Sequence, residues 1–239
     1  MADKPTVAIL GSSGMLGAIT LDWFAKQASF NLIATARNEA EVEKMPGVEY
    51  RILDAETTEV DEIAAAIKDA DWVVNAIGII KPYIHDDNPT EVETATRVNA
   101  LFPHLLSKAA DKVNAKVLQI ATDCVYSGQK GEYEESDVHD AMDVYGKTKS
   151  LGEAHMDNMF HLRCSIIGPE LKGHLSLLDW FLGNPQKAEL NGFTNHQWNG
   201  VTTLHFAKVA AGIIKGNIKL THLQHIIPGN MITKANLLK

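Results

Sequence analysis

The sequence predicts an α/β fold: a doubly wound parallel sheet with a small C-terminal region. Three observations carry that prediction. Short apolar, β-branched runs alternate with helical patterns, a glycine-rich turn follows the first run, and the alternation stops near Gly168. Alternating strands and helices place the strands in parallel, with helices covering both faces.

The first run, Thr6–Leu10, leads into "GSSGMLG" and then "MLGAITLDWFAKQA", where Leu16, Ile19, Trp23 and Phe24 share one helical stripe. Further strands are expected at Asn31–Ala36, Val48–Leu53, Trp72–Ala76, Lys116–Thr122 and Leu162–Ile167. A second helix is expected over "VDEIAAAIKDA", with Val60, Ile63 and Ile67 on one face. After Gly168, Gly, Pro, Asn and His crowd "GPELKGH" and "NGFTNHQWNG". The expected division is therefore 1–168 for the dinucleotide-binding unit and 169–239 for a small substrate-binding region. A Thr202–Gly216 helix and a Leu223–Ile227 strand return from that region to the core.

Composition excludes several classes. The 239 residues carry a formal net charge of -8, which argues against a nucleic-acid binder, because that needs clustered Lys and Arg. Two cysteines, Cys124 and Cys164, form neither a disulfide framework nor a metal-site spacing, so a cytoplasmic, reducing setting is expected. No stretch approaches a membrane span, and the start "MADKPTVAIL" lacks the features of a signal peptide. His85, His139, His155 and His161 show no metal-ligand spacing, and no metal is expected.

The glycine turn reads G-x-x-G-x-x-G rather than G-x-G-x-x-G, but the physics is shared. Glycines let the backbone approach a pyrophosphate while a helix N-terminus offers free N–H groups to it. Gly11, Ser13, Gly14, Met15, Leu16 and Gly17 are the expected cradle. The second strand then ends in Arg37, with no acid before Glu39. A cation there suits a ribose 2′-phosphate, so NADP(H) is preferred and NAD(H) possible. Asp54, followed by Ala55, stands where an adenine contact is expected, or else caps the next helix.

Tyr145 and Lys149 lie four apart on an expected helix and so share a face. A tyrosine hydroxyl titrating near 10 works at neutral pH only beside a cation, and a lysine one turn away supplies it. Thr122, ending an apolar strand, points a hydroxyl into the crevice.

With these residues in place, "GSSGMLG", "VNAIG", "RVNALFPHLL", "ATDCVYSGQKGEYEESD", "YGKTKSLGE" and "RCSIIG" fall in the order of a known family. The sequence resembles an extended short-chain dehydrogenase/reductase of Rossmann-like fold, and within that family the dTDP-4-dehydrorhamnose reductase group of nucleotide-sugar reductases. The resemblance implies that Thr122, Tyr145 and Lys149 are catalytic, that hydride passes to a 4-keto sugar, and that Tyr145 protonates the alkoxide. It implies that Asn75, Ala76, Ile77, Gly78 and Ile167 line the cofactor and that Asn99 supports the active-site helix and its Lys. Asp123, Cys124 and Val125 would meet the nucleotide-sugar substrate. A homodimer through the helices carrying Asn99 and Tyr145, and a role in polysaccharide precursor synthesis, are further implications.

Three departures accompany it. Thr122-Asp123-Cys124 lacks the general base of sugar-nucleotide dehydratases. Cys124, with His174 as partner, resembles the pair of an epimerase/reductase, although a small apolar Cys beside a solvent-facing His is the simpler reading. The chain ends at "IIPGNMITKANLLK", where family members continue with another helix. In "GFTNHQWNG", Asn195, Trp198 and Asn199 suit a sugar or base ring, and a structural turn suits them equally. A non-catalytic NADP-binding regulatory subunit, as among the methionine adenosyltransferase β-subunit relatives, is the remaining alternative.

Overall fold

Val7 and Ile9 face one side of the first strand and Ala8 and Leu10 the other, and all four are fully buried. They are so placed in a computed structural model of the chain, which describes residues 4–41, 43–153 and 155–239. A strand buried on both faces is the mark of a parallel sheet covered by helices on each side.

Seven strands form that sheet: β1 (Thr6–Leu10), β2 (Asn31–Ala36), β3 (Val48–Ile52), β4 (Trp72–Asn75), β5 (Lys116–Thr122), β6 (Met159–Cys164) and β7 (Leu223–His225). Their order is β7-β6-β5-β4-β1-β2-β3, and every pair is parallel. The order reverses between β1 and β4, and doubly wound sheets bind ligands at the carboxyl ends of strands beside such a reversal.

On one face, α1 (Met15–Lys26) and α7 (Thr203–Gly216) bury Leu16, Leu21, Phe24, Phe206 and Ala210 against Val7, Ile9, Leu118 and Leu162. On the other, α2 (Val60–Ala66) and α4 (Phe102–Lys112) bury Ile63, Phe102 and Leu106 against Ala8, Leu10, Val73 and Val117. α3 (Pro89–Ala95) runs into α4 through a wider π-helical turn at Thr96–Leu101. α5 (Val144–Leu151) carries the Tyr/Lys pair, and α6 (Leu177–Leu182) lies in the C-terminal region. No helix among the described residues is long and apolar enough to cross a membrane.

Several boundaries differ from expectation, each for a local reason. The sixth strand begins at Met159, because Met159 and Phe160 pair with Val117 and Leu118. It ends at Cys164, and Ser165 instead accepts the Val201 amide at 2.9 Å, so Ile166–Ile167 pairs with Val201–Thr202 in a separate ribbon. α1 stops at Lys26, ahead of Ala28 with its φ of 50°. α2 stops at Ala66, and Asp69 turns the chain with a φ of 69°. The cap of α2 is Glu59, whose amide donates to Glu62 Oε2 at 2.9 Å, and not Asp54. β3 and β4 each stop one residue early, at Ile52 and Asn75.

Beneath the site, Arg163 of β6 is 1% exposed and ion-paired with Glu153. A guanidinium only donates, so His139 accepts from it at 2.7 Å, which leaves the other ring nitrogen to face Ser150 Oγ at 2.7 Å. Burial pushes the His139 pKa down, consistent with a neutral ring. The network ties β6 to the end of α5.

Candidate active site

The glycine loop is built by close approach. Gly11 has a φ of 74°, in the left-handed region that favours glycine, and a Cβ there would meet Ile77 Cγ1 at 2.8 Å. A Cβ on Gly17 would strike the carbonyl oxygen of Gly11, so only glycine lets α1 sit this near the loop. The Ser12 amide donates to the Thr35 carbonyl at 2.9 Å, which fixes the loop to the end of β2. Gly14 caps α1 without a side chain on the first amides, and Met15, Leu16 and Gly17 form the first turn. This cradle fits a pyrophosphate.

Beyond β2, Arg37 Nη2 lies 3.4 Å from Glu41 Oε1, and Ser13 Oγ donates to Glu41 Oε2 at 3.1 Å. Glu41 was not among the residues singled out from sequence; its position four after Arg37 on a tight turn was the available signal. Asp54 builds a turn: its carboxylate accepts the Glu56 amide at 3.0 Å, and Ala55 beside it is buried.

The β4 end is shaped by amides. Asn75 is fully buried, donates to Gln119 Oε1 at 2.7 Å and accepts the Ile77 amide at 3.1 Å. Its side chain therefore moulds the Ala76–Gly78 turn rather than facing into the cleft. Asn99, in the π-helical turn, clamps the Ile79 backbone, accepting its N–H at 2.9 Å and donating to its carbonyl at 3.0 Å. A Cβ on Gly78 would lie 3.4 Å from Asn99 Oδ1 and 3.8 Å from Lys149 Nζ. Asn99 thus fixes the turn, and Gly78 leaves the space beside the Lys149 ammonium open.

α5 is held by its first turn. Asp143 accepts the Gly146 amide at 2.7 Å and the Lys81 ammonium at 2.6 Å, while Asp86 accepts the Val144 amide at 3.2 Å. A Cβ on Gly146 would strike the carbonyl of Cys124, so this glycine lets α5 press against the turn after β5. Tyr145, next to Gly146 on α5, is thereby brought against the turn that follows Thr122. Burial pushes the Tyr145 pKa well above its usual range, so its proton is held. Lys149 is 7% exposed, donates to the Ile120 carbonyl at 3.0 Å, and is drawn down to about 8 by burial against the opposing pull of Glu153. A protonated phenol, a second hydroxyl and a readily titrated ammonium can together deliver a proton to a carbonyl oxygen.

Around them, Thr122 Oγ1 accepts the Cys124 amide at 3.2 Å and opens the short turn Asp123–Val125, where Val125 is buried. Cys124 is solvent-exposed, but the protein packed around its thiol and next Asp123, toward which it donates at 3.7 Å, push the thiol up to about 11. Burial also raises Asp123, against pulls from Cys124 and, further off, Lys234. His174 is turned to Asp179, 3.6 Å away, and is solvent-exposed. Ile167 is half-buried in its ribbon with Thr202. Trp198 donates to Ser165 Oγ at 2.8 Å and packs on Gly200, so its indole N–H is committed to the scaffold; Asn195 is exposed and Asn199 half-buried. Among the described residues no group of three or more His, Cys, Asp or Glu is arranged to hold a metal ion.

The family model described as the RmlD substrate binding domain matches residues 5–167. The dTDP-4-dehydrorhamnose reductase of Aggregatibacter actinomycetemcomitans is 32% identical over 114 residues, which are 44% of this chain and 37% of that protein. The methionine adenosyltransferase 2 subunit beta of Xenopus tropicalis is 28% identical over 148 residues, 61% of this chain and 40% of that protein. The chain thus matches about two fifths of the length of these curated relatives. Among solved structures, the Bordetella bronchiseptica enzyme WbmG in complex with NAD and UDP superposes with a TM-score of 0.80 at 16% identity, over 97% of this chain and 75% of that one. At that identity the likeness is one of fold.

Proposed function

Because this chain belongs to the RmlD substrate binding domain family, we propose that it reduces the 4-keto group of a nucleotide-activated deoxysugar, with NADPH preferred as the reductant. The observation that carries this reading is α5, with Tyr145 and Lys149 one turn apart, pressed at Gly146 against the turn that follows Thr122, and Lys149 bound to the Ile120 carbonyl of the same strand. The dinucleotide, when bound, supplies the hydride. Gly11, Gly14 and Gly17 would admit its pyrophosphate to the N-terminus of α1, and Lys149, bound to the Ile120 carbonyl, would hold its ribose. Thr122 donates to the sugar carbonyl oxygen, and Tyr145 passes its proton to that oxygen as it becomes an alkoxide. Lys149, at about 8, is charged at neutral pH, and its ammonium would stabilise the phenolate left behind.

Arg37 supports the NADPH preference, since a guanidinium after β2 suits a 2′-phosphate. The epimerase/reductase alternative is not favoured: a thiol held near 11 is a poor base, and His174 is turned to Asp179. The regulatory-subunit alternative is weakened by an intact Thr122, Tyr145 and Lys149. A cytoplasmic homodimer completes the reading.

The test is nucleotide consumption with dTDP-, UDP- and GDP-linked 4-keto-6-deoxy sugars, each with NADPH and NADH. Turnover of a 4-keto substrate, faster with NADPH, is expected. Absence of turnover with every sugar, while the dinucleotides bind, favours the regulatory subunit and contradicts the proposal.

A further inference from the structure

Glu41 is the one acidic side chain that folds back onto the glycine loop in the stretch after β2, and it does so with four donors around it. Ser13 Oγ lies 3.1 Å and Lys172 Nζ 3.7 Å from its Oε2; Asn38 Nδ2 lies 3.2 Å and Arg37 Nη2 3.4 Å from its Oε1. The carboxylate is 14% exposed, whereas Arg37 and Lys172 are 61% and 55% exposed. The anion is enclosed, and the cations that serve it remain free to turn. Burial alone would raise this carboxyl, but Ser13, Arg37, Lys172 and Asn38 together hold it below its usual range.

The donors come from three separate segments. Ser13 belongs to the loop fixed to the end of β2, Arg37 and Asn38 follow β2, and Lys172 belongs to the C-terminal region. A single turn at Glu39–Glu41 then swings the carboxylate back among them. Two cations, a hydroxyl and an amide converging on one anion form a donor set that would serve a phosphate group equally well. The place is where the end of β2 meets the glycine turn, at which a doubly wound sheet meets the adenosine ribose.

We propose that Glu41 is an internal stand-in for a phosphate: its carboxylate fills an anion site made by Ser13, Arg37, Asn38 and Lys172, and the 2′-phosphate of an incoming dinucleotide displaces it. The inference rests on the reading of this cleft as a dinucleotide site. It makes Glu41 a specificity-determining residue, because displacement costs NADPH binding what it does not cost NADH binding. It also makes Lys172 a partner of the phosphate, so that the C-terminal region senses which dinucleotide is bound.

The experiment is calorimetric titration of the whole protein and of Glu41→Gln, Lys172→Ala and Glu41→Gln/Arg37→Ala with NADPH, NADH and adenosine 2′,5′-bisphosphate. Glu41→Gln keeps the shape and removes the charge. It should tighten NADPH and the bisphosphate about twofold to fivefold, the range expected for releasing a partly exposed ion pair. NADH should change by less than about twofold, within the scatter of a neutral surface substitution. The gain should vanish in Glu41→Gln/Arg37→Ala, and Lys172→Ala should weaken NADPH more than NADH. Weaker NADH with unchanged NADPH in Glu41→Gln would make Glu41 a holder of the ribose diol and overturn the proposal. If neither dinucleotide binds any of these proteins, the reading of the cleft fails and the proposal with it. If both bind and Glu41→Gln leaves their ratio unchanged, only the proposal fails.

Discussion

The Lys149 ammonium donates to the backbone carbonyl of Ile120 at 3.0 Å, at the end of the strand that delivers Thr122. That bond holds the cation one turn along α5 from Tyr145, but it does not compensate for burying a charge. In the absence of ligand the cation is a stability liability kept for chemistry.

Burial draws Lys149 down to about 8 from 10.5. The unfolded chain therefore binds this proton more tightly, and the group's contribution to stability improves as pH rises from about 8 to about 10.5. Lys149→Met should stabilise the ligand-free protein at pH 7 by about 1–3 kcal/mol while abolishing reduction. Urea unfolding at pH 7 and pH 9.5 checks this; the gain should shrink at the higher pH. A variant less stable than the parent at pH 7 would contradict the burial argument.

The Cys124 thiol, pushed up to about 11, should resist alkylation. At pH 8 iodoacetamide should modify it roughly two orders of magnitude more slowly than an ordinary thiol, because only the thiolate reacts. Cys164 is buried and pushed up to about 12, so it does not confuse the measurement. The rate should still be climbing beyond pH 9. An inflection near pH 7 would restore Cys124 as a candidate base.

Gly17→Ala should damage the cradle, because the new methyl would meet Gly11 backbone atoms on which the loop depends. The expected effect is a loss of about 1–3 kcal/mol in stability and at least about tenfold in dinucleotide affinity. Gly212→Ala is the control. A Cβ there meets nothing within 4 Å on α7, and the change should stabilise by about 0.5–1 kcal/mol without altering affinity. Equal affinity in both variants would show that the loop does not contact the ligand.

Much of the sheet was legible because parallel strands covered on both sides read as unbroken apolar runs, and Val7–Leu10 and Trp72–Val74 are such runs. The glycine spacing, the Tyr145–Lys149 interval and Thr122 are local patterns too, and they lie after β1, on α5 and at the end of β5. What escaped depends on partners far apart in the chain. Met159 and Phe160 follow the loop-like Asp157-Asn158, and only pairing with Val117 and Leu118 makes them a strand. The ion pair of Arg163 with Glu153 carries no periodicity, and neither does the convergence of Ser13, Arg37 and Lys172 on Glu41. The bonds of Asn75 to Gln119 and of the Trp198 indole N–H to Ser165 likewise join residues far apart in the chain.

The central claim is that Tyr145 donates the proton to a reduced 4-keto sugar, and Tyr145→Phe tests it most directly. The ring is kept, the donor is lost, and Lys149 still holds the ribose. With the preferred 4-keto nucleotide sugar, kcat should fall by about two to four orders of magnitude, while the NADPH dissociation constant stays within about threefold of the parent. A folded Tyr145→Phe protein that reduces the sugar at the parent rate would contradict the account.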